Sequence, residues 1–366
     1  MSDHEPRLRR RRIPRVRRRS APGAAPGTLI ADPNASKPRF HYWRFDSEHC
    51  EEKPDCSLDD LAPARHSAEV VWVDVVGLGD GDRIAQIGRR FDLHPLTLED
   101  VVNVHQRPKV ENYDDHLYVV VRMMASGQGM EPEQVSMFLA PGLVLTFQQR
   151  PGDCFDPVRE RIRKSKGRIR TLAADYLLYA LIDAVVDGFF PVLERTGDGL
   201  EKIETAIITN PDPECIEQLH NLRRDLLGLR RALWPTRDML SALQREGPTF
   251  ISETTRIYLR DAHDHAVQLI DIVETYREIA ASLIEMYLSS LSTRLNEVMK
   301  VLTLMATVFL PLTFITSLYG MNFDRSSPWN MPELGWRLGY PFSLGIMLIA
   351  AGGLLVYFWR KGWFRS

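Results

Sequence analysis

The spacing of apolar positions along the chain changes character twice. Near the middle of the N-terminal half, the Val-rich run "AEVVWVDVVG" (68–77) and three further runs at 116–124, 133–140 and 142–149 carry strand patterns. The last two are split by the turn signal Pro141-Gly142. Between the first and second runs, "DGDRIAQIGRRFD" predicts a helix, and "HPLTLEDVVN" predicts a shorter one with Pro95 in its first turn. Strands interleaved with helices predict a mixed α/β domain over 65–170, after a segment 1–64 that reads as a disordered Arg-rich tail and loop. From Ala173 the period becomes helical, giving a helical hairpin over 171–250 that Pro191 should interrupt or kink and that also contains Pro235.

Beyond Gly247-Pro248 a third helix is predicted over 252–319, with a stalk at 251–300 leading into a first membrane span. Its 68 residues correspond to about 100 Å at 1.5 Å per residue. A helix that long cannot bury itself in one small domain and needs partner helices, most simply copies of itself around an axis.

Composition sharpens this division. Overall the chain is 26% charged and 44% apolar, as in an ordinary soluble protein. Yet residues 301–323 and 338–359 contain no charged side chain at all. Each run exceeds the roughly 20 residues that cross a bilayer as a helix. They predict transmembrane helices at 301–322 and 339–359, joined by an external loop at 323–338 and followed by a basic C-terminus at 360–366. Arg294 and Lys300 before the first span, and Arg360, Lys361 and Arg365 after the second, place both termini in the cytoplasm. The four cysteines lack zinc-site spacing and read as packing or surface residues. In the first twenty residues nine arginines face only Asp3 and Glu5. That block reads as a solvated tail, with nucleic acid, anionic lipid or organelle targeting as the sharper alternatives.

One face of the predicted first span advances at a mean spacing of 3.5: Asn296, Met299, Leu302, Ala306, Leu310, Thr313 and Ser317. Such a seam serves equally as a pore lining or as a helix-packing stripe. As a pore it would place Asn296 at the cytoplasmic mouth, apolar rings of Met299, Leu302 and Leu310 at a dry constriction, and Thr313 and Ser317 toward the outer end. Neither span holds an ionisable residue, so a proton relay is not supported. No phosphate-binding Gly-rich loop is present, so no ATP-driven step is expected. His263 and His265, two apart on a helix, make a poor metal pair.

The stretch "NEVMKVLTLMATVFLPLTFITSLYGMNF", with "MPELGW", "GYPFSLGIMLI" and "YFWRKGWF", resembles the membrane domain of the CorA family of divalent-cation channels. Upstream, "HPLTLEDVVNVHQRPKVE", "DYLLYALIDAVVD", "LRRALWPTRDMLS" and "YLRDAHDHAVQLIDIVETYREI" extend the likeness over about 65–366. The resemblance implies an α/β/α cytoplasmic domain, a long stalk helix and two C-terminal membrane helices, assembled as a homopentameric funnel in the inner membrane. It implies transport of Mg²⁺, with Co²⁺ and Ni²⁺ as further substrates, driven by the membrane potential without enzymatic chemistry. Tyr319, Gly320, Met321 and Asn322 match the selectivity motif, where Asn322 carbonyls would accept hydrogen bonds from a hydrated cation and Gly320 would leave the helix at positive φ. Asp324 and Glu333 in the loop would concentrate cations. Asp100 and Asp261 match a regulatory Mg²⁺ pair at subunit interfaces, with Glu99 and Asp183 as second-site ligands. Two alternatives remain on the sequence alone: a Zn²⁺ transporter of the ZntB branch, and a membrane-anchored regulator whose Arg-rich tail binds nucleic acid.

Overall fold

The computed structural model describes residues 23, 25–62, 68–124, 132–246, 250–322 and 331–363. The arginine block of the first twenty residues, Asp324 and Arg365 lie outside the described residues. Two compact units are present, one comprising Met1–Glu204 with Ile216–Ser282, the other Thr205–Cys215 with Leu283–Ser366.

The first unit is built on a seven-stranded sheet. Its strands are β1 (Arg39–Phe45), β2 (Cys50–Cys56), β3 (Val70–Val76), β4 (Lys109–Asn112), β5 (Leu117–Met123), β6 (Glu133–Ala140) and β7 (Leu143–Gln148), in the order β2-β1-β3-β7-β6-β5-β4. Among the described residues only β3 and β7 pair in parallel. Central strands read as apolar runs because both their faces are covered. On one face α1 (Gly81–Arg90) and α2 (Pro95–Val102) contribute Ile84, Ile87, Leu98 and Val101 to a core with Val71, Val73, Tyr118 and Phe138. Trp72 instead stacks on Trp43 and meets Phe155 edge-on, beside α3 (Asp156–Arg163). The helix α4 (Ala174–Asp187) contacts β5, β6 and β7.

Two expectations change here. The segment 1–64, expected as a disordered tail and loop, supplies β1 and β2. In β1, Phe40 and Tyr42 alternate with buried Trp43 and Phe45, a two-sided strand. β2 is "CEEKPDC", an edge strand whose polar residues carry no hydrophobic period; Pro54 is tolerated there because an edge strand leaves N–H positions unpaired. It is held by charge: Arg44 pairs with Glu51, and His41 lies 3.0 Å from Glu52. The second change concerns α4, assigned from sequence to the helical hairpin but in fact part of the sheet layer, with Leu177, Leu178, Leu181 and Ile182 fully buried.

A buried ionic knot ties α3 to the sheet. Arg159 donates to Asp74 (2.7 Å) and Asp153 (2.6 Å), while Trp72 donates to Thr146, which in turn donates to Asp74. Burial pushes the Asp74 carboxyl up, against the pull of Arg159.

Three helices follow: α5 (Phe190–Thr209), α6 (Pro213–Glu246) and α7 (Glu253–Tyr319). The expected break near Pro191 falls just before it, at 188–189, leaving Pro191 in the first turn of α5 where its missing N–H costs nothing. Gly197 of α5 meets α7 so closely that a Cβ there would lie 2.6 Å from the Tyr276 hydroxyl. The start of α7 is fixed by Asp175 of α4, which accepts from the Ser252 amide (2.8 Å) and hydroxyl (2.7 Å). Arg230 of α6 pairs with Glu274 of α7 at 2.8 Å.

In the second unit α7 continues to Tyr319, a short 3-10 turn spans Pro332–Gly335, and α8 covers Gly339–Arg360. Arg294 donates to the Asn210 side chain at 2.7 Å. Among the described residues three helical stretches are long and apolar enough to cross a membrane. The apolar window within Ala174–Thr209 is 67% buried inside the protein, whereas those within α7 and α8 are 0% and 11% buried. The first therefore belongs to a protein core, and the other two need another apolar environment.

Candidate ion path and regulatory acids

The seam residues Asn296, Met299, Leu302, Ala306, Leu310, Thr313 and Ser317 are all exposed in the single chain. Two residues back from the last four of them stand Leu304, Val308, Pro311 and Ile315, which are partly covered. Two residues turn an α-helix by about 200°, so the seam points away from the covered side. Thr316, next to Ile315, reaches α8 at Met347 Sδ, 3.6 Å away. The seam thus stands uncovered by its own chain.

At its C-terminal end α7 stops at Tyr319. The Gly320 amide still donates to Thr316 (3.0 Å), and the Met321 amide tightens to Leu318 (3.3 Å). The expected positive φ at Gly320 is not found. The backbone is close here nonetheless: a Cβ would stand 3.2 Å from the Thr316 carbonyl oxygen, a tight contact. Asn322 follows, exposed and without a hydrogen bond among the described residues. Glu333 sits in the 3-10 turn, half-buried, with Oε2 enclosed and unpartnered among the described residues.

The acids expected to bind a regulatory ion separate into three environments. Asp100, on α2, is held within its own chain: Gln106 donates to Oδ1 at 2.7 Å and Lys109 to Oδ2 at 2.6 Å. Its neighbour Glu99 accepts from the Gly27 amide at 2.7 Å. Asp261, on α7, is exposed and shares no hydrogen bond or ion pair with Asp100 among the described residues. Within one chain the principal pair is therefore not assembled.

Asp183 is different, because the fold brings Asp187 and His265 to it with one ligand atom from each within 4.8 Å of the others. Helical spacing puts the two aspartates on one face of α4, and His265 arrives from α7. Burial first, then the Asp187 charge, pushes the Asp183 carboxyl up to about 6, although Tyr179 donates a hydrogen bond to it. The His265 Nδ1 is buried 3.7 Å from Asp187 Oδ1, too far for a hydrogen bond, and has no hydrogen-bond partner among the described residues. Two hard carboxylate oxygens suit Mg²⁺, and the imidazole adds tolerance for Co²⁺. Sequence spacing set His265 apart from His263 but did not point to its partnership with Asp183 and Asp187, which joins helices about eighty residues apart. The i,i+4 carboxylates on α4 were the one available signal.

Two apolar helices toward one end of the chain, a polar motif where the first of them stops, and clustered acids in an α/β domain make up the arrangement of a two-span membrane protein. A family model described as "CorA-like Mg2+ transporter protein" matches residues 67–361. The cobalt/magnesium transport protein CorA of Thermotoga maritima is 42% identical over 345 residues, covering 93% of this chain and 97% of that one. The magnesium transport protein CorA of Haemophilus ducreyi is 28% identical over 325 residues, covering 84% and 96%. The complete structure of the CorA magnesium transporter from Methanocaldococcus jannaschii superposes with a TM-score of 0.77 at 22% identity, covering 89% of this chain and 99% of that one. The ZntB cytoplasmic domain from Vibrio parahaemolyticus shares the fold at a TM-score of 0.57 and 14% identity, covering 70% and 99%. The chain belongs to the CorA family of transporters.

Proposed function

We propose that this protein is a homopentameric channel of the inner membrane that admits Mg²⁺, and also Co²⁺, down the membrane potential and is closed by Mg²⁺ on its cytoplasmic side. The observation that carries the pore is the seam from Asn296 to Ser317, exposed along its whole length on a helix whose other side is partly covered. Five copies around an axis would bury it. Rings of Met299, Leu302 and Leu310 would then form a constriction that conducts only when wide enough to stay wet. Asn322, together with Tyr319, Gly320 and Met321, would set an uncharged mouth whose carbonyl oxygens accept hydrogen bonds from the hydration shell of a cation that sheds water reluctantly. Both termini lie in the cytoplasm, so Glu333 and Asp324 would stand outside and raise the local cation concentration. The potential contributes about 2.3 kcal/mol per charge per 100 mV, hence about 4.6 for a dication, enough to drive uptake.

Closure is assigned to the acids. Asp261, exposed and without an ion pair among the described residues, would meet Asp100 of a neighbouring subunit. A dication there would neutralise carboxylates that otherwise repel, and Lys109 would have to yield its place on Asp100. Glu99 and Asp183, the latter with Asp187 and His265, would hold a second ion. As internal Mg²⁺ falls, the interface loosens and open states gain population.

The test is ion flux in proteoliposomes with Mg²⁺, Co²⁺, Ni²⁺ or Zn²⁺ outside, with and without Mg²⁺ on the cytoplasmic face. Mg²⁺ and Co²⁺ flux suppressed by internal Mg²⁺ supports the proposal. Flux of Zn²⁺ alone overturns it, and flux indifferent to internal Mg²⁺ removes the gating while leaving the pore.

A further inference from the structure

A cavity of about 610 Å³ opens where the loop between α2 and β4 approaches the middle of α6. Four arginines line it, Arg107, Arg122, Arg230 and Arg231, and among the described residues no aspartate or glutamate does. Their charges are unequally answered. Arg230 has Glu274 at 2.8 Å and, with Arg237, lies over the ring of Trp234. Arg122 is half-buried and, among the described residues, donates only to carbonyls, those of Val104 (3.3 Å) and Gln106 (2.7 Å). Burial lowers its pKa, as expected of a guanidinium desolvated without a counter-charge. Arg107 and Arg231 are exposed and have no ion-pair partner among the described residues.

Arg122 has a structural duty, stapling two carbonyls of the loop. Nothing of the kind explains Arg107 and Arg231, which bring two further positive charges to the same concavity. Gathering like charges costs energy unless an anion shares the space. Guanidinium groups suit phosphate in particular, through paired N–H donors. The volume falls in the range of small-molecule sites, roughly 300–1,000 Å³, and exceeds what one inorganic phosphate would fill.

We propose that this cavity binds a polyphosphate anion, with Arg107, Arg122 and Arg231 as its phosphate contacts. The site stands on its own charges and shape and does not depend on the pore assignment. Its wall nevertheless reaches Asp100, because Gln106, which lines the cavity and accepts from Arg122, also donates to that carboxylate, and Lys109, which pairs with it, opens β4 at the end of the same loop.

The experiment is calorimetric titration of the full-length protein in detergent, in a chelating buffer free of Mg²⁺, with inorganic triphosphate and with ATP as separate probes. Saturable binding of one anion per protomer is expected, weakening as salt is raised. The double variant R107Q/R231Q, both positions exposed and outside the core, should bind about tenfold more weakly or less still. Arg223→Gln, an exposed arginine of α6 outside the cavity, should bind as the parent does. Equal affinity for the two probes assigns recognition to the phosphate chain, and tighter ATP binding adds a contribution from the nucleoside. No saturable binding of either probe, undiminished binding by the double variant, or equal loss in Arg223→Gln overturns the proposal.

Discussion

Replacing Asp183 with asparagine should make the metal-free protein more stable. The carboxyl is pushed up to about 6 from 3.8, first by burial and then by Asp187. Two pKa units correspond to about 3 kcal/mol, and partial exposure reduces this to roughly 1–2 kcal/mol. For an acid whose folded pKa is raised, the ionised form costs stability; that cost is complete above about pH 6 and disappears below the unfolded value. Asparagine removes the charge and keeps an acceptor for the Tyr179 hydroxyl. In chelator at about pH 7.5, urea unfolding of the full-length variant should therefore move to a higher midpoint, and the gain should shrink as pH is lowered through about 6. Adding Mg²⁺ should reverse the order, because an ion that binds only the folded state stabilises by mass action and the variant has lost a ligand. A variant less stable than the parent in chelator, or a gain that does not change with pH, would refute the electrostatic account of this cluster.

Asn322→Ala should reduce Mg²⁺ flux in proteoliposomes by about tenfold or more without affecting folding, since the exposed Asn322 side chain makes no hydrogen bond among the described residues. Asp261→Asn should leave thermal stability within about 0.5 kcal/mol while flux persists at internal Mg²⁺ levels that close the parent. Arg159→Met should cost about 3–5 kcal/mol in urea unfolding, because Asp74 and Asp153 would be left buried beside each other without their cation.

Sequence pattern was most informative where one environment covers a long run. The helices ending at Tyr319 and Arg360 were legible from the uncharged runs they carry, because hydrocarbon demands about twenty apolar residues in a row. The helix α7 begins at Glu253, one residue beyond its expected start, since Asp175 and Ser252 cap it there. The strands β3, β5, β6 and β7 announce themselves through Val, Phe and Leu buried on both faces. The two edge strands were invisible for the opposite reason: β2 and β4 are polar, and their stability comes from main-chain pairing and side-chain charge, which have no periodicity to read. At the site, a local motif marked Gly320 and Asn322. The partnership of His265 with Asp183 and Asp187 depends on how α7 packs on α4, a long-range fact that spacing cannot carry.

The pairing of β1 with β3 has a practical consequence for truncation. Cutting the chain at residue 64 would remove a segment that composition marks as dispensable. In doing so it would strip β3 of the neighbour along one entire side, from Val70 to Val76. "VVWVDVV", nearly all buried in the intact sheet, would become an open edge with unpaired amides and a β-branched apolar face. Such an edge templates addition of further strands from other molecules. A shortened version begun at residue 65 is thus expected to precipitate during purification, whereas one begun before Arg39 keeps β1 and with it the cap on β3.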